Sequence, residues 1–297
     1  MDLTSSGPLL RVQSGNHSWG VRLEAVERVT RPGDSPVDRD GAQALIHDDV
    51  GPVPLLSPGG RLTLTADQRI VWLRTDEDRL AIAVDDIGDR LPSMSLHALP
   101  SLPFQVPPPI LGLAGEGAAA LAVLDLKQLS SPLPAAAGVP SRPEIRNTLD
   151  ADYEPSLMLL PPQGEGEHGE LPLIPAVSAA QVLAVESAGD VTVLPSLATW
   201  CLGVGWWRGE PIGVYDVSRR LSPDGSGGRG RRWLIAATPG GGRLALQLDG
   251  RCTARPLPER ATVEPAQGAL ADAIYGLFRT EQHRLALLDL ERWQRAG

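Results

Sequence analysis

Short apolar runs separated by turn-forming residues recur along the whole chain. Residues 70–73 and 80–84 form one pair of runs around a polar turn, and residues 233–236 and 244–248 form another around a glycine-rich turn. Runs of this length are typical of β-strands, and two of them around a tight turn make a hairpin. A buried helix is the alternative, but the intervening glycines and acids favour strands. The pattern predicts an all-β protein with a few short helices. We expect these helices at residues 179–185 and 290–295.

The two halves of the chain repeat each other at an offset of 164 residues. Residues 79–85 align with 243–249, and residues 110–126 align with 274–290 without a gap. Of these 24 aligned positions, 12 are identical. Earlier parts of the two halves align at a smaller offset of 156, so the connecting loops differ in length. Such a repeat predicts two domains of the same architecture.

A stretch rich in proline and alanine separates the two halves. Residues 132–154 contain little to bury, which is typical of a semi-extended linker. An ordered loop packed over a barrel is the alternative. We therefore predict a first domain over residues 8–131, a linker over residues 132–154 and a second domain over residues 155–297.

The composition narrows the class of protein. The 297 residues are 42% apolar and include 32 glycines and 28 prolines, which suits a chain of short strands and many turns. A net charge of −9 argues against binding to duplex nucleic acid, which needs clustered cations. Two cysteines, Cys201 and Cys252, cannot form a disulfide framework and fit a reducing compartment. The start of the chain lacks a secretory signal, and no apolar run reaches 18 residues. We expect a cytoplasmic protein without membrane insertion.

Local motifs for catalysis or metal binding are missing from the sequence. No two histidines lie within five residues of each other, and neither cysteine has a neighbouring histidine, so the usual spacing of metal ligands is not present. No G-x-S-x-G sequence marks a nucleophile. Cys201 lies between Trp200 and Leu202, where burial is the simplest interpretation. The sequence thus predicts no catalytic residue, no metal and no cofactor, and an enzyme on a small-barrel scaffold is a minor alternative.

Residues 200–221 carry the most informative motif of the chain. They contain Gly203-Val204, Arg208-Gly209, Asp216-Val217 and Arg219 at spacings that resemble the signature of the CheW family of chemotaxis coupling proteins. The later runs of the second half also look like strands of this family. The first half is more divergent and is similar to the CheW-like regulatory domain of the kinase CheA.

This resemblance implies a fold and a function. Each domain would be a pair of small five-stranded barrels of the Src-homology-3-like type. The protein would be a non-enzymatic adaptor that couples methyl-accepting chemotaxis receptors to a CheA-type histidine kinase, in the cytoplasm at receptor arrays or the cell pole. The alternative is a structural or localising module for polar or pilus-associated machinery, without kinase contact.

The resemblance also places a partner-binding patch around the Arg-Gly step. We predict that this patch consists of Val204, Trp206, Trp207, Arg208 and Glu210. Successive side chains of a strand point to opposite faces, so Trp206 and Trp207 cannot both enter one core. One of the two indoles is therefore expected at a surface or a domain interface, where tryptophan is a frequent binding residue. Maintenance of the fold is the alternative role for these residues.

The chain departs from the family pattern at several places, two of which concern the Arg-Gly step. Family members often carry a glutamate on an early strand that pairs with the arginine, but the matching position here is Ala184, with Glu186 two residues later. This puts the salt bridge to Arg208 in question. In the first half, residues 49–51 (Asp-Val-Gly) stand where the Arg-Gly step belongs. We therefore expect that one copy has lost the coupling role or has been adapted to another partner.

Overall fold

The computed structural model describes most of the chain and divides it into two compact units. The described residues are 6–34, 36–40, 43–58, 62, 64–75, 78–105, 109–130, 156–161, 171–221, 230–256, 262–264 and 271–295. The first unit comprises Met1–Leu99, Pro107–Ala137 and Thr192–Pro195, and the second comprises Pro100–Val106, Gly138–Val191 and Ser196–Gly297. The predicted linker at residues 132–154 lies outside the described residues.

The described part of the first unit contains two sheets and one short helix. Its strands are β1 (Leu9–Ser14), β2 (His17–Arg22), β3 (Val26–Thr30), β4 (Val37–Asp40), β5 (Gln43–Asp48), β6 (Gly51–Leu56), β7 (Arg69–Arg74), β8 (Arg79–Val84), β9 (Asp86–Leu91), β10 (Leu96–His97), β11 (Ile110–Ala114) and β12 (Leu121–Leu124). The strand orders are β10-β11-β12-β2-β1-β9 and β3-β7-β8-β6-β5-β4. Helix α1 (Leu126–Ser130) follows the last strand.

The second unit is built in the same way. Its strands are β13 (Ser156–Leu159), β14 (Leu173–Ser178), β15 (Val182–Ser187), β16 (Cys201–Trp207), β17 (Glu210–Asp216), β18 (Arg232–Ala237), β19 (Arg243–Leu248), β20 (Thr253–Pro256), β21 (Thr262–Glu264), β22 (Ile274–Arg279) and β23 (Arg284–Leu288). The strand orders are β20-β13-β14-β23-β22-β21 and β15-β18-β19-β17-β16. Helices α2 (Val217–Leu221) and α3 (Leu290–Trp293) follow β17 and β23.

The two units share one topology. From its other edge, the first sheet of the first unit has the order β9-β1-β2-β12-β11-β10. This order matches β20-β13-β14-β23-β22-β21 in the second unit, strand by strand. Among the strands that the structure describes, two pairs per unit are parallel: β2 with β12 and β6 with β8 in the first, and β14 with β23 and β17 with β19 in the second. The repeat found in the sequence is therefore a repeat of strand order.

The match extends to irregularities in the strands. The register between β11 and β12 shifts between Ile110 and Gly112, and the register between β22 and β23 shifts between Ile274 and Gly276. These two bulges lie at the offset of 164 residues seen in the sequence. A further bulge occurs in both β3 and β15, at the smaller offset of 156. Because a bulge fixes the local bend of a strand, its repetition shows that the two units also bend alike at these points.

The all-β class with a few short helices is confirmed. Within the described residues, three of the four sheets have a sixth strand where the resemblance led us to expect five. The added strands are short and lie at a sheet edge, as β10 with two residues does. Short edge strands of this kind limit unwanted pairing with other chains.

Large aromatic side chains fill the cores. In the first unit, Trp72 is buried and its indole N–H donates to the hydroxyl of Thr30 at 2.9 Å. In the second, Trp293 is buried, its N–H donates to the carbonyl of Ala273 at 2.8 Å, and its ring meets Tyr215 edge-on. Burial of a large apolar side chain stabilises a fold by about 1.5–3 kcal/mol, and these indoles retain a hydrogen bond while buried.

The helices are short. Leu290–Trp293 is helical as predicted, and the Asp289 carboxylate caps it by accepting the backbone N–H of Arg292 at 3.2 Å. The predicted helix over residues 179–185 is only partly correct, since a single 3-10 turn at Ala179–Gln181 gives way to strand β15. The β-branched valines of that strand favour an extended backbone and pairing with β18. Among the residues that the structure describes, no helix has the length and apolar character needed to cross a membrane.

The shared bulge gives a matched pair of substitutions. At Gly112 an added Cβ would lie 2.6 Å from the carbonyl oxygen of His97, whereas at Gly276 its nearest neighbour would be a ring carbon of Phe278 at 3.5 Å. We expect Gly112→Ala to lower the free energy of unfolding by about 1–3 kcal/mol, because backbone must move. Gly276→Ala should change it by less than about 0.5 kcal/mol. Urea unfolding of both variants tests this, and equal effects would contradict it.

Candidate partner-binding hairpin

Strands β16 and β17 form a hairpin whose two-residue turn is Arg208-Gly209. The backbone φ angles are 53° at Arg208 and 80° at Gly209, so both residues adopt the left-handed conformation that a type I′ turn requires. Trp207 and Glu210 are directly opposite each other across the hairpin. The turn lies at the Arg-Gly step, and the second strand begins directly after it at Glu210.

The side chain of Trp207 lies beneath the charged groups at the turn. Its side chain is buried, and its indole N–H donates to the Glu186 carboxylate at 3.2 Å. The guanidinium of Arg208 lies 4.5 Å from the ring centroid, and that of Arg243 lies 5.7 Å from it. Arg243 also forms an ion pair with Glu210 at 2.7 Å. The arrangement holds two arginines and two glutamates around one tryptophan.

The structure brings together three of the five residues of the predicted patch. Arg208 and Glu210 are exposed, and they lie with Trp207 at the end of the hairpin. Val204 is fully buried in the middle of β16. Trp206 is partly buried and, as the neighbour of Trp207 in an extended strand, points to the opposite face. The partner-binding role of all five residues stays a prediction.

Two members of the cluster were not assigned to it from the sequence. Glu186 was considered only as a partner for Arg208, but its carboxylate accepts the N–H of Trp207 instead. Among the described residues, no carboxylate lies within ion-pair distance of Arg208, which stacks on the indole. Arg243 was noticed only as part of the repeat. Its place beside Glu210 depends on the parallel pairing of β17 with β19, which no local motif encodes.

Glycines beneath the hairpin allow rings to approach the backbone. An added Cβ at Gly205 would lie 2.5 Å from a ring carbon of Trp233 and 2.9 Å from a methyl group of Val214. Any side chain at this position would displace the buried indole that supports β16. Asp216, at the end of β17, accepts the hydroxyl of Ser218 at 2.5 Å and the backbone N–H of Arg219 at 3.2 Å. It thereby caps the turn that follows.

Cys201 lies at the start of β16 as a packing residue. It is buried beside the core that contains Tyr215. Burial raises the pKa of its thiol to about 12, so the thiol is neutral near pH 7 and is a poor nucleophile. Within the described part of the chain, no group of three or more histidine, cysteine, aspartate or glutamate residues is arranged to hold a metal ion.

The equivalent hairpin of the first unit has a different chemistry. Strands β5 and β6 are joined by Asp49-Val50, so an acid replaces the arginine and an exposed valine replaces the glycine. Asp48, which takes the place of Trp207, forms ion pairs with Arg79 at 2.7 Å and with Arg28 at 3.2 Å. Arg79 corresponds to Arg243 in the repeat. The last residue before the turn is thus part of an ion-pair network in the first unit, as Asp48, and the centre of an aromatic cluster in the second, as Trp207.

The environment of Asp48 makes the first unit sensitive to acid. Hydrogen bonding to Arg79, followed by the backbone N–H of Val50, lowers the pKa of Asp48 in the folded state. A lowered folded-state pKa stabilises the fold above the ordinary aspartate value of about 4, and this contribution is lost as the pH falls through the folded-state pKa. We expect Asp48→Asn to weaken the loss of stability between about pH 4 and pH 2.

Unfolding by urea across that pH range measures the effect. Asp89→Asn is the matched control, since Asp89 is an exposed aspartate on β9 of the same unit. The interpretation is wrong if Asp48→Asn and Asp89→Asn have the same pH profile as the unmodified chain.

Comparison with known proteins places the hairpin in a recognised domain. Residues 169–295 match the protein family described as CheW-like domain. This range contains β14 to β23, including the whole hairpin. The crystal structure of the scaffolding protein TtCheW from Thermoanaerobacter tengcongensis is similar to the chain, with a TM-score of 0.33 and 12% sequence identity over 40% of this chain and 88% of that chain. No curated protein matches the chain. The family match confirms, for residues 169–295, the resemblance that the signature at residues 200–221 indicates.

Proposed function

Since residues 169–295 form a CheW-like domain, we propose that the protein is a non-catalytic adaptor of a bacterial chemosensory system. It couples methyl-accepting receptors to a CheA-type histidine kinase through protein contacts, in the cytoplasm at receptor arrays. The observation that carries this proposal is the exposed Arg208-Gly209 turn of the matched domain, held on the buried ring of Trp207.

The cluster around Trp207 is suited to binding an acidic surface. Arg208 is exposed, yet its guanidinium is stacked on a buried ring, so part of its side-chain freedom is lost before a partner arrives. A preorganised arginine loses less entropy on binding and presents its donors in a fixed plane. Charged groups at the rim of an interface mainly set the rate and selectivity of association. We infer that Arg208 guides and orients a partner, while Trp207 keeps the turn rigid.

The second candidate is a localising module without kinase contact. The first unit favours this candidate because its equivalent hairpin lacks the Arg-Gly step. In addition, Arg79 of this unit forms ion pairs with Asp48 and Glu27. A unit with such a network offers no free counterpart of Arg208 at this place. Under this candidate, the two units hold other machinery together at the cell pole or at pili.

A charge reversal at the turn tests the coupling role. We expect Arg208→Glu to weaken binding to a purified CheA-type kinase of the same host about tenfold, which is about 1.4 kcal/mol. The reversed charge repels the acidic surface that the arginine is proposed to meet, and the fold should persist because the side chain is exposed. Isothermal titration measures the affinity. Arg251→Glu, at an exposed arginine elsewhere in the second unit, is the control and should bind like the unmodified chain.

The possible results separate the two candidates. Tight binding that Arg208→Glu does not change would reject the patch but keep the adaptor role. Absence of binding by the unmodified chain to both kinase and receptor would reject coupling and favour the localising module.

A further inference from the structure

Residues 101–105, here called the docked segment, belong to the second unit although they lie between β10 and β11 in the chain. The backbone N–H of Gln105 donates to the carbonyl of Ser196 at 2.7 Å. The N–H of Ala198 donates to the carbonyl of Pro103 at 2.9 Å. Phe104 and Leu197 form an antiparallel bridge. The segment therefore forms an isolated β-bridge with residues 196–198.

A notch in β17 receives the leucine of the docked segment. Leu102 is partly buried against the core that contains Tyr215. An added Cβ at Gly213 would lie 2.8 Å from the hydroxyl oxygen of Tyr215 and 2.9 Å from the Cδ2 atom of Leu102, so both side chains occupy space that the bare glycine leaves open. Pro103, the next residue, is buried. The contact is one of shape complementarity between the apolar side chain of Leu102 and the strand at Gly213, which has no side chain.

The docked segment also satisfies a buried polar group. Tyr215 is fully buried, and its hydroxyl donates to the carbonyl of Ser101 at 3.1 Å. Burial raises the pKa of Tyr215 well above its usual value, which keeps the hydroxyl protonated as a donor. A buried hydroxyl without an acceptor is costly, so the groove requires a carbonyl at this point. Any occupant must supply that carbonyl directly before its leucine.

We propose that the notch at Gly213, the Tyr215 hydroxyl and the backbone of residues 196–198 form a peptide-binding groove. Its ligand is an extended, uncharged segment in which a leucine is followed by a proline and an aromatic residue. Residues 101–105 fill the groove in cis, and a partner segment with the same pattern competes with them. Addition of a strand to an exposed edge, with side-chain pockets for specificity, is a common way to bind peptides.

The attachment of the docked segment makes this competition measurable. The segment is joined through chain that belongs to the first unit, so it acts as a tethered ligand with an effective concentration in the millimolar range. A free peptide competes poorly against such a tether, and weakening the tethered segment should expose the groove.

Titration of the full-length chain with a labelled peptide tests the proposal. The probe is a fluorescein-labelled peptide with the sequence of residues 98–107, followed by anisotropy. We expect full-length Leu102→Asp to bind it at least about tenfold more tightly than the unmodified chain. The control Val50→Asp makes the same change at an exposed valine of the first unit and should behave like the unmodified chain.

Two further changes test the chemistry of the groove. A peptide with aspartate in place of its leucine should lose binding to Leu102→Asp. In the Leu102→Asp background, Tyr215→Phe should weaken binding of the original peptide about fivefold, because the phenylalanine ring fills the same space but cannot donate to the carbonyl.

The fold of each variant is checked by thermal unfolding. A folded Leu102→Asp chain that does not bind the peptide overturns the proposal. If that variant does not fold, Leu102→Ala replaces it, and a photo-crosslinking peptide at millimolar concentration is applied to the unmodified chain. Crosslinks at residues 196–217 support the groove, and crosslinks only elsewhere overturn it.

Discussion

The parallel pairing of early and late strands holds each unit together. In the first unit β2 pairs with β12, and in the second β14 pairs with β23, so strands about 100 residues apart are adjacent in one sheet. The chain between these strands, which includes the other sheet of the unit and its hairpin, is a long insertion between two sheet neighbours. Such non-local pairs form late and slowly, but once made they fix the positions of the connecting elements. The orientation of the β16–β17 turn depends on this closure.

Local chemistry explains why much of the architecture was predictable from the sequence. The aligned residues 110–126 and 274–290 give the same strands with the same bulge, because alternation and glycine placement are written into short stretches of chain. The Arg-Gly step gives a tight turn because a two-residue hairpin needs positive φ at both positions. The exposed character of Arg208 and Glu210 also follows from their place in that turn.

Contacts between side chains of different strands were harder to predict from the sequence. Glu186 meets Trp207 rather than Arg208, since the register between β15 and β18 and the order of the sheet decide which groups come together. The position of residues 101–105 in the second unit was beyond prediction, because Leu102 and Gly213 are more than 100 residues apart and neither has a distinctive local pattern. The helix predicted over residues 179–185 is too long, because only residues 179–181 form a 3-10 turn and the chain pairs with β18 from Val182 onward.

The arginine at the corner of the hairpin has an energetic consequence. A residue with a Cβ in the left-handed conformation is disfavoured by about 1 kcal/mol, and asparagine or glycine adopts it more easily. Stacking on the indole recovers a comparable amount, about 0.5–1 kcal/mol at an exposed site. Arg208 thus adds little net stability to the turn, and selection for foldability alone would have no reason to prefer it to asparagine. What distinguishes arginine at this corner is its permanent positive charge, which is a property suited to recognition rather than to folding.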